Sequence, residues 1–227
     1  MSAQPATIIA LDGPAASGKT AVGRMLAARL GYLFFDTGVM YRAVALAAYQ
    51  NGVNPADEAG VSDLAEKISI DVQPSDRQDE RTSLVILDGD DVSWAVREPV
   101  VDATVAQVSA YPRVRAAMTA RQREIGLRGK VVMVGRDIGT VVLPEADLKI
   151  FLEASLEARA KRRYQNLDSR GGDQTLEEVQ AALARRDEID SGRDLSPLRP
   201  AEGALVIDTT NLSPEETIRI IEARLAA

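Results

Sequence analysis

The 227-residue chain contains no cysteine and no histidine. The first absence excludes disulfides, thiolate metal sites and a cysteine nucleophile. The second excludes an imidazole base and a histidine-ligated metal. Phosphoryl transfer to an already ionised acceptor survives both exclusions, because it rests on positioning and charge neutralisation. Aromatic residues make up only 4% of the chain, and lysine is scarce: five of the 27 basic residues are lysine and the other 22 are arginine. No apolar run approaches the ~20 residues that a membrane span needs. The N-terminus lacks the basic segment and long apolar stretch of a secretory signal. A cytoplasmic protein with no membrane contact is therefore expected. The net charge of −7 argues against a general nucleic-acid binder, which is typically basic.

What the chain does have begins at residues 13–20, Gly-Pro-Ala-Ala-Ser-Gly-Lys-Thr, which fit G-x-x-x-x-G-K-[ST]. The apolar run Thr7–Leu11 before them has the composition of a buried parallel strand. Residues Ala21–Leu30 after them are apolar at helical spacing and stop at Gly31. A strand, a glycine loop and a helix in that order form a phosphate cradle, with loop N–H groups and a helix N-terminus facing the anion. Gly13, Pro14, Ala15, Ala16, Ser17 and Gly18 supply the loop. Lys19 is placed to reach the β- and γ-phosphates, and the Thr20 hydroxyl to hold Mg²⁺.

With 45% hydrophobic residues the chain can bury a full core. Four more apolar runs read as strands: Tyr32–Phe35, Val131–Val134, Leu148–Leu152 and Ala204–Ile207. Helical patterns fill the gaps, over about Val39–Tyr49, Val61–Lys67, Val101–Ala110, Pro112–Leu127, Ser155–Asn166, Thr175–Asp190 and Ser213–Leu225. This alternation predicts an α/β fold, a five-stranded parallel sheet with helices on both faces. Ile68–Val72 and Ser83–Leu87, joined by a polar turn, predict a small antiparallel insertion, and Asp88–Asp91 reads as a solvated acidic turn.

Charged clusters fall at the predicted C-terminal ends of the strands, where ligands bind in open α/β sheets. Asp36 can hold a water on Mg²⁺, and Thr37 and Arg42 can grip a second phosphate; alternatively Asp36 or Thr37 only caps a helix. Arg136 and Asp137, between Gly135 and Gly139, read either as a ligand site or as an exposed turn with a weak ion pair. Arg159, Arg162 and Arg163 share a helix face, beside the glycine-containing stretch 168–173. They form a lid over transferring phosphates or a solvated surface. Arg186, Asp190 and Arg193 line one stripe, as ligand groups or as a surface ion pair. A phosphate loop beside these arginines describes a site for two phosphorylated ligands.

At this level the chain resembles the bacterial cytidylate kinases. The resemblance rests on Gly13–Thr20, Asp36–Arg42, Tyr111–Arg115, Gly135–Val142, Arg159–Tyr164, Arg186–Arg193 with Ser196–Leu198, and Ile207–Ser213. It spans essentially the whole chain, including a β insertion like that of the long bacterial form. It implies a single P-loop kinase domain of the nucleoside-monophosphate-kinase type over 1–227, with an inserted acceptor-binding β subdomain at 62–96 and a lid at 156–173. It also implies ATP- and Mg²⁺-dependent phosphorylation of CMP and dCMP by a monomer. Lys19, Arg136, Arg159 and Arg163 would act in catalysis, and residues 13–20 with Arg159 and Arg162 would bind ATP. Thr37, Arg42, Arg136 and Arg193 would hold the acceptor phosphate, and Arg186 and Asp190 its ribose and phosphate. Arg115 and Asp137 would read the base; a carboxylate accepts from cytosine's 4-amino group and opposes uracil's 4-carbonyl. Thr20 and Asp36 would serve the metal.

Three departures stand out against the resemblance. Ala106 occupies the position of a base-contacting serine, with Thr104 and Ser109 nearby to compensate. Val134 replaces an acidic residue before Gly135, and Ala21 follows Thr20 where another hydroxyl is commoner. Among rivals, a dTMP or shikimate kinase leaves Gly135–Gly139 and the Arg186–Arg193 stripe unexplained. A GTP switch needs a guanine-reading Asn-Lys pair, which is absent, although Asp57–Gly60 and Asp168–Gly171 match Asp-x-x-Gly.

Overall fold

The computed structural model describes residues 7–75, 83–168, 174–192 and 196–225. In chain order the elements are β1 (Ile8–Asp12), α1 (Lys19–Leu30), β2 (Leu33–Asp36), α2 (Gly38–Gln50), α3 (Glu58–Lys67), β3 (Ile70–Pro74), β4 (Ser83–Leu87) and β5 (Asp90–Asp91). After a short 3₁₀ turn (Ala95–Arg97) come α4 (Pro99–Val108), α5 (Pro112–Gly126), β6 (Val131–Val134), a π-helical turn (Ile138–Val142), β7 (Leu148–Glu153), α6 (Leu156–Asp168), α7 (Leu176–Ser191), β8 (Leu205–Asp208) and α8 (Pro214–Leu225). The main sheet is five-stranded, in the order β2-β6-β1-β7-β8, and a second, three-stranded sheet runs β3-β4-β5. The large sheet is parallel, as the β1–β7 and β7–β8 registers exemplify. This is the expected α/β P-loop kinase architecture.

The chain divides into two compact units: Met1–Tyr32 with Val132–Ala227, and Leu33–Val131. In the first unit, the apolar runs behave as strands covered on both sides should. Ile9, Ala10 and Leu11 are fully buried, as are Val132 and Met133. Helix α1 turns Val22, Leu26 and Ala27 inward and ends where Gly31 adopts φ 67°, its N–H returning to the Ala27 carbonyl. Helix α8 starts on a reciprocal cap, with Ser213 N–H donating to Glu216 and Glu216 N–H donating to Ser213 Oγ. Its buried Ile218 and Ile221 hold it in place beside α1, with Arg29 and Glu222 paired at 2.8 Å outside. Helices α6 and α7 form a hairpin with a small core of their own, Ala160, Val179 and Leu183, against which Ala15 of the glycine loop also packs.

In the second unit, α2 is apolar nearly all round, and every residue from Ala43 to Ala48 is buried. Such a helix must be covered on most of its circumference, and α4 is one of the elements that cover it. The small sheet alternates as expected. Val72 pairs with Val85 and Ile70 with Leu87, and all four point inward. The acidic stretch Asp88–Asp91 is more than a solvated turn. Asp88 (φ 51°) and Gly89 (φ 97°) make a tight reversal, and Asp90 and Asp91 return as the third strand. Helix α4 begins two residues earlier than its apolar pattern, because Pro99 supplies a pre-set first position.

Candidate active site

In the first unit, β1 delivers the chain into the glycine loop and α1 takes it out. Gly13 has φ 148°, and a β-carbon there would lie 2.1 Å from the Leu152 carbonyl oxygen, so only glycine fits. Ala16 and Gly18 also take positive φ, which wraps the loop tightly. Helix α1 opens with no side-chain cap and no acidic residue in its first turn. Its N-terminal partial charge is thus left to an anionic ligand. Ser17 is fully buried, and its carbonyl accepts from Thr209 Oγ1 at 3.0 Å. Lys19 is buried as well. Its ammonium donates to the Pro14 carbonyl at 2.5 Å and lies 3.4 Å from Ser17 Oγ, folded across the loop it is expected to serve. Thr20 stands exposed in the first helical turn.

The second cluster follows β6. Arg136 donates from Nε to Asp190 Oδ2 at 3.0 Å, and Arg186 approaches the same oxygen at 3.9 Å. Asp190 is 1% exposed, so one buried carboxylate serves two arginines from different elements. Asp137 is buried and caps the π-helical turn through its backbone: its carbonyl accepts from Val141 and Val142. The sequence offered a ligand site or an exposed turn here; the structure adds a π-helical turn over Ile138–Val142. Asp12, last residue of β1, accepts from Ile138 N–H at 2.8 Å and Gly139 N–H at 2.7 Å. Burial pushes the Asp12 carboxyl up to about 6, against the lowering effect of those two N–H groups; Asp137 adds to the rise and Lys19 opposes it. The sequence pattern ends the strand at Leu11 and gives Asp12 no role; the structure extends the strand to Asp12. The available signal was an acid closing a fully apolar strand directly before the loop.

The three arginines of α6 diverge despite their helical spacing. Arg159 is 5% exposed and spends its guanidinium on protein: Asp187 in bidentate fashion (3.2 and 2.6 Å), the Ala154 carbonyl, and the Ala15 carbonyl of the glycine loop at 3.3 Å. Arg162 donates to Thr209 Oγ1 and to the Thr209 carbonyl, which ties α6 to the segment after β8. Arg163 is exposed. Arg193 and residues 169–173 of the expected lid, with 76–82 of the expected insertion, lie outside the described residues.

The second unit holds the remaining candidates. Asp36 Oδ1 accepts from Gly38 N–H at 3.0 Å, and Thr37 is buried at the N-terminus of α2 without a side-chain cap bond. Arg42 reaches Asp102 at 2.5 Å and the Val96 carbonyl at 3.2 Å. Arg115 lies 5.7 Å from the centre of the Tyr41 ring and 3.4 Å from the Ser109 carbonyl. The hydroxyls of Thr104 and Ser109, the candidates to stand in near Ala106, each donate to a carbonyl of the preceding helical turn. Asp57, part of one Asp-x-x-Gly match, accepts from Gly60 N–H and is a helix cap.

Thr20 and Asp36 offer hard oxygen donors, as Mg²⁺ prefers. The uncapped start of α1 also suits the triphosphate that would carry the metal.

Comparison with known proteins agrees with this chemistry. The family model described as cytidylate kinase matches residues 9–226. A cytidylate kinase of Chloroflexus aggregans is 49% identical over 94% of this chain and 91% of its own length. One of Roseiflexus castenholzii is 46% identical over 97% and 94%, and one of a Geobacillus species is 47% identical over 94% of each chain. Among solved structures, an uncharacterized protein from Eubacterium ventriosum aligns with TM-score 0.54 at 11% identity, covering 97% of this chain and 99% of its own; it speaks for the fold alone.

Proposed function

The chain belongs to the cytidylate kinase family and is an enzyme that phosphorylates CMP, and we propose that it uses ATP with Mg²⁺, acts on both CMP and dCMP, and transfers the phosphoryl group in line. One observation carries this reading. The glycine loop with its buried Lys19 and the Arg136–Asp190–Arg186 cluster stand on one compact unit, joined through Asp12. In that reading ATP lies along Gly13, Pro14, Ala15, Ala16, Ser17, Gly18, Lys19 and Thr20, with Arg162 alongside. Arg159 acts from behind the loop by holding the Ala15 carbonyl, and Arg163 is the lid arginine free of a framework contact among the described residues.

CMP is held at its phosphate by Thr37, Arg42, Arg136 and Arg193, and at its ribose and phosphate by Arg186 and Asp190. Arg115 and Asp137 read the base. The second phosphate ionisation of CMP is near pH 6, so the attacking oxygen is mostly deprotonated at neutrality and needs no strong base. Lys19 and the arginines neutralise charge that spreads over the transferring group. Thr20, and Asp36 through a water, would hold Mg²⁺, which would supply positive charge against the phosphates. We further assign 62–96 as an acceptor-side subdomain and 156–173 as the lid, in a cytoplasmic monomer.

The test is an ADP-release assay with CMP, dCMP, UMP, dTMP and AMP side by side, with and without Mg²⁺. CMP and dCMP should dominate and the metal-free reaction should vanish. Equal turnover of UMP would remove Asp137 as the group that reads the base.

A further inference from the structure

We infer that Asp12 is a positioning residue for the transfer reaction: its carboxylate fixes the turn that presents Arg136 and Asp137 to the acceptor. The inference rests on the proposed acceptor roles of those two residues. Asp12 closes β1 and immediately precedes Gly13, and it is 3% exposed. Both of its oxygens are used, Oδ1 by Ile138 N–H and Oδ2 by Gly139 N–H. These are the first two amides of the π-helical turn, which has no side-chain cap of its own. Amides at the start of a helical turn have no partner within it and must find one elsewhere. Here a neighbouring strand supplies both acceptors from one side chain. The fit is close: a β-carbon on Gly139 would stand 3.4 Å from Asp12 Oδ2, 3.2 Å from Ala201 Cβ and 3.4 Å from Lys149 Cγ.

The choice of a carboxylate is informative. Burial disfavours its charge, and the nearby Asp137 disfavours it further; only Lys19 and the two amides favour it. A group kept for stability alone would be better as a neutral side chain. A neutral amide, however, offers one acceptor and one NH₂, and the NH₂ would face a second N–H donor. Two convergent donors need a group that only accepts. The structure therefore spends a buried charge on the shape of one turn, the turn that carries Arg136.

The experiment compares Asp12→Asn with Arg136→Ala, reading KM for CMP, KM for ATP, kcat and the urea midpoint at pH 7.5. Asp12→Asn should raise KM for CMP by roughly tenfold or more, the loss of one charge-assisted hydrogen bond. KM for ATP should stay within about threefold, and the urea midpoint should not fall. Equal rises in both KM values with a lowered midpoint would mean a merely structural carboxylate. An unchanged KM for CMP in Asp12→Asn, with the expected rise in Arg136→Ala, would overturn the role of Asp12 alone. An unchanged KM for CMP in Arg136→Ala would overturn the acceptor reading, and this inference with it. Should Asp12→Asn not fold, Gly139→Ala decides: its β-carbon would press on Ala201 Cβ at 3.2 Å and on Asp12 Oδ2 at 3.4 Å, so it should raise KM for CMP several-fold and leave KM for ATP within about threefold. An unchanged KM for CMP would refute the proposal.

Discussion

The two compact units hold their candidate residues in different ways. In the first, the groups are locked: Lys19 is folded over its loop, Arg159 grips Asp187 with both ends of its fork, and Asp190 is sealed beneath two arginines. In the second, the contacts are looser. Arg42 pairs with an Asp102 whose side chain is 57% exposed, and Arg115 leans on a ring and a distant carbonyl. Phosphoryl transfer needs the same fixed charges at every turnover, so a rigid frame suits Lys19 and the Arg136–Asp190–Arg186 cluster alike. Arg42 and Arg115, the acceptor groups of the second unit, must release one set of partners to take another, and exposed pairs that contribute little to stability are cheap to exchange.

The comparison can be broken most forcefully at Lys19. Lys19→Ala should lower kcat by roughly a hundredfold to a thousandfold with little change in CMP affinity; loss of CMP affinity alone would remove Lys19 from the donor side. Next comes Arg159→Ala, which strands a partly buried Asp187 and should destabilise the protein by about 3–5 kcal/mol in urea melts. A change below about 1 kcal/mol would show that the frame is not locked.

Asp12 sharpens the contrast through pH. Its carboxyl sits at about 6 in the folded chain against an ordinary 3.8, so between those values the native state binds more protons than the unfolded one. Its contribution to stability is most favourable below about pH 4 and declines as pH rises toward 6 and above, by about 3 kcal/mol in all. The stability difference between Asp12→Asn and wild type should therefore grow from pH 4 to 7; a flat difference would contradict the raised value. In the second unit, Arg42→Ala should raise KM for CMP about tenfold while leaving the urea midpoint nearly unchanged. The smallest effect is expected for Asp102→Asn, below about 1 kcal/mol in stability, with KM for CMP unchanged or lowered because Arg42 no longer has to be released. A raised KM would make Asp102 part of the recognition surface.

Much of this was legible in the residues. Fully apolar strands announce themselves, and so did the glycine loop, because its pattern is dictated by backbone approach to phosphate. The helix starting at Ser213 was legible because the groups that cap it are local. What could not be read depends on distant partners. Spacing puts Arg159, Arg162 and Arg163 together on α6, but Asp187 and the Thr209 carbonyl, far along the chain, draw the first two apart. The strand Asp90–Asp91 is two residues of a type that strands avoid, and it exists because the Asp88–Gly89 reversal lays it beside Ile86 and Leu87. Asp12 carried no reading of its own, because the turn that hangs from it, at Ile138 and Gly139, is far along the chain.

The missing side chain at Gly13 has a wider consequence. The oxygen of Leu152 sits where that side chain would begin, so strand β7 sets a ceiling over the nucleotide loop. Neither segment can be altered independently: a bulkier residue at 13, or a shifted carbonyl at 152, would spread through both. Attempts to retune the donor preference of this enzyme by editing the loop alone should fail, and paired changes in loop and strand are the route left open.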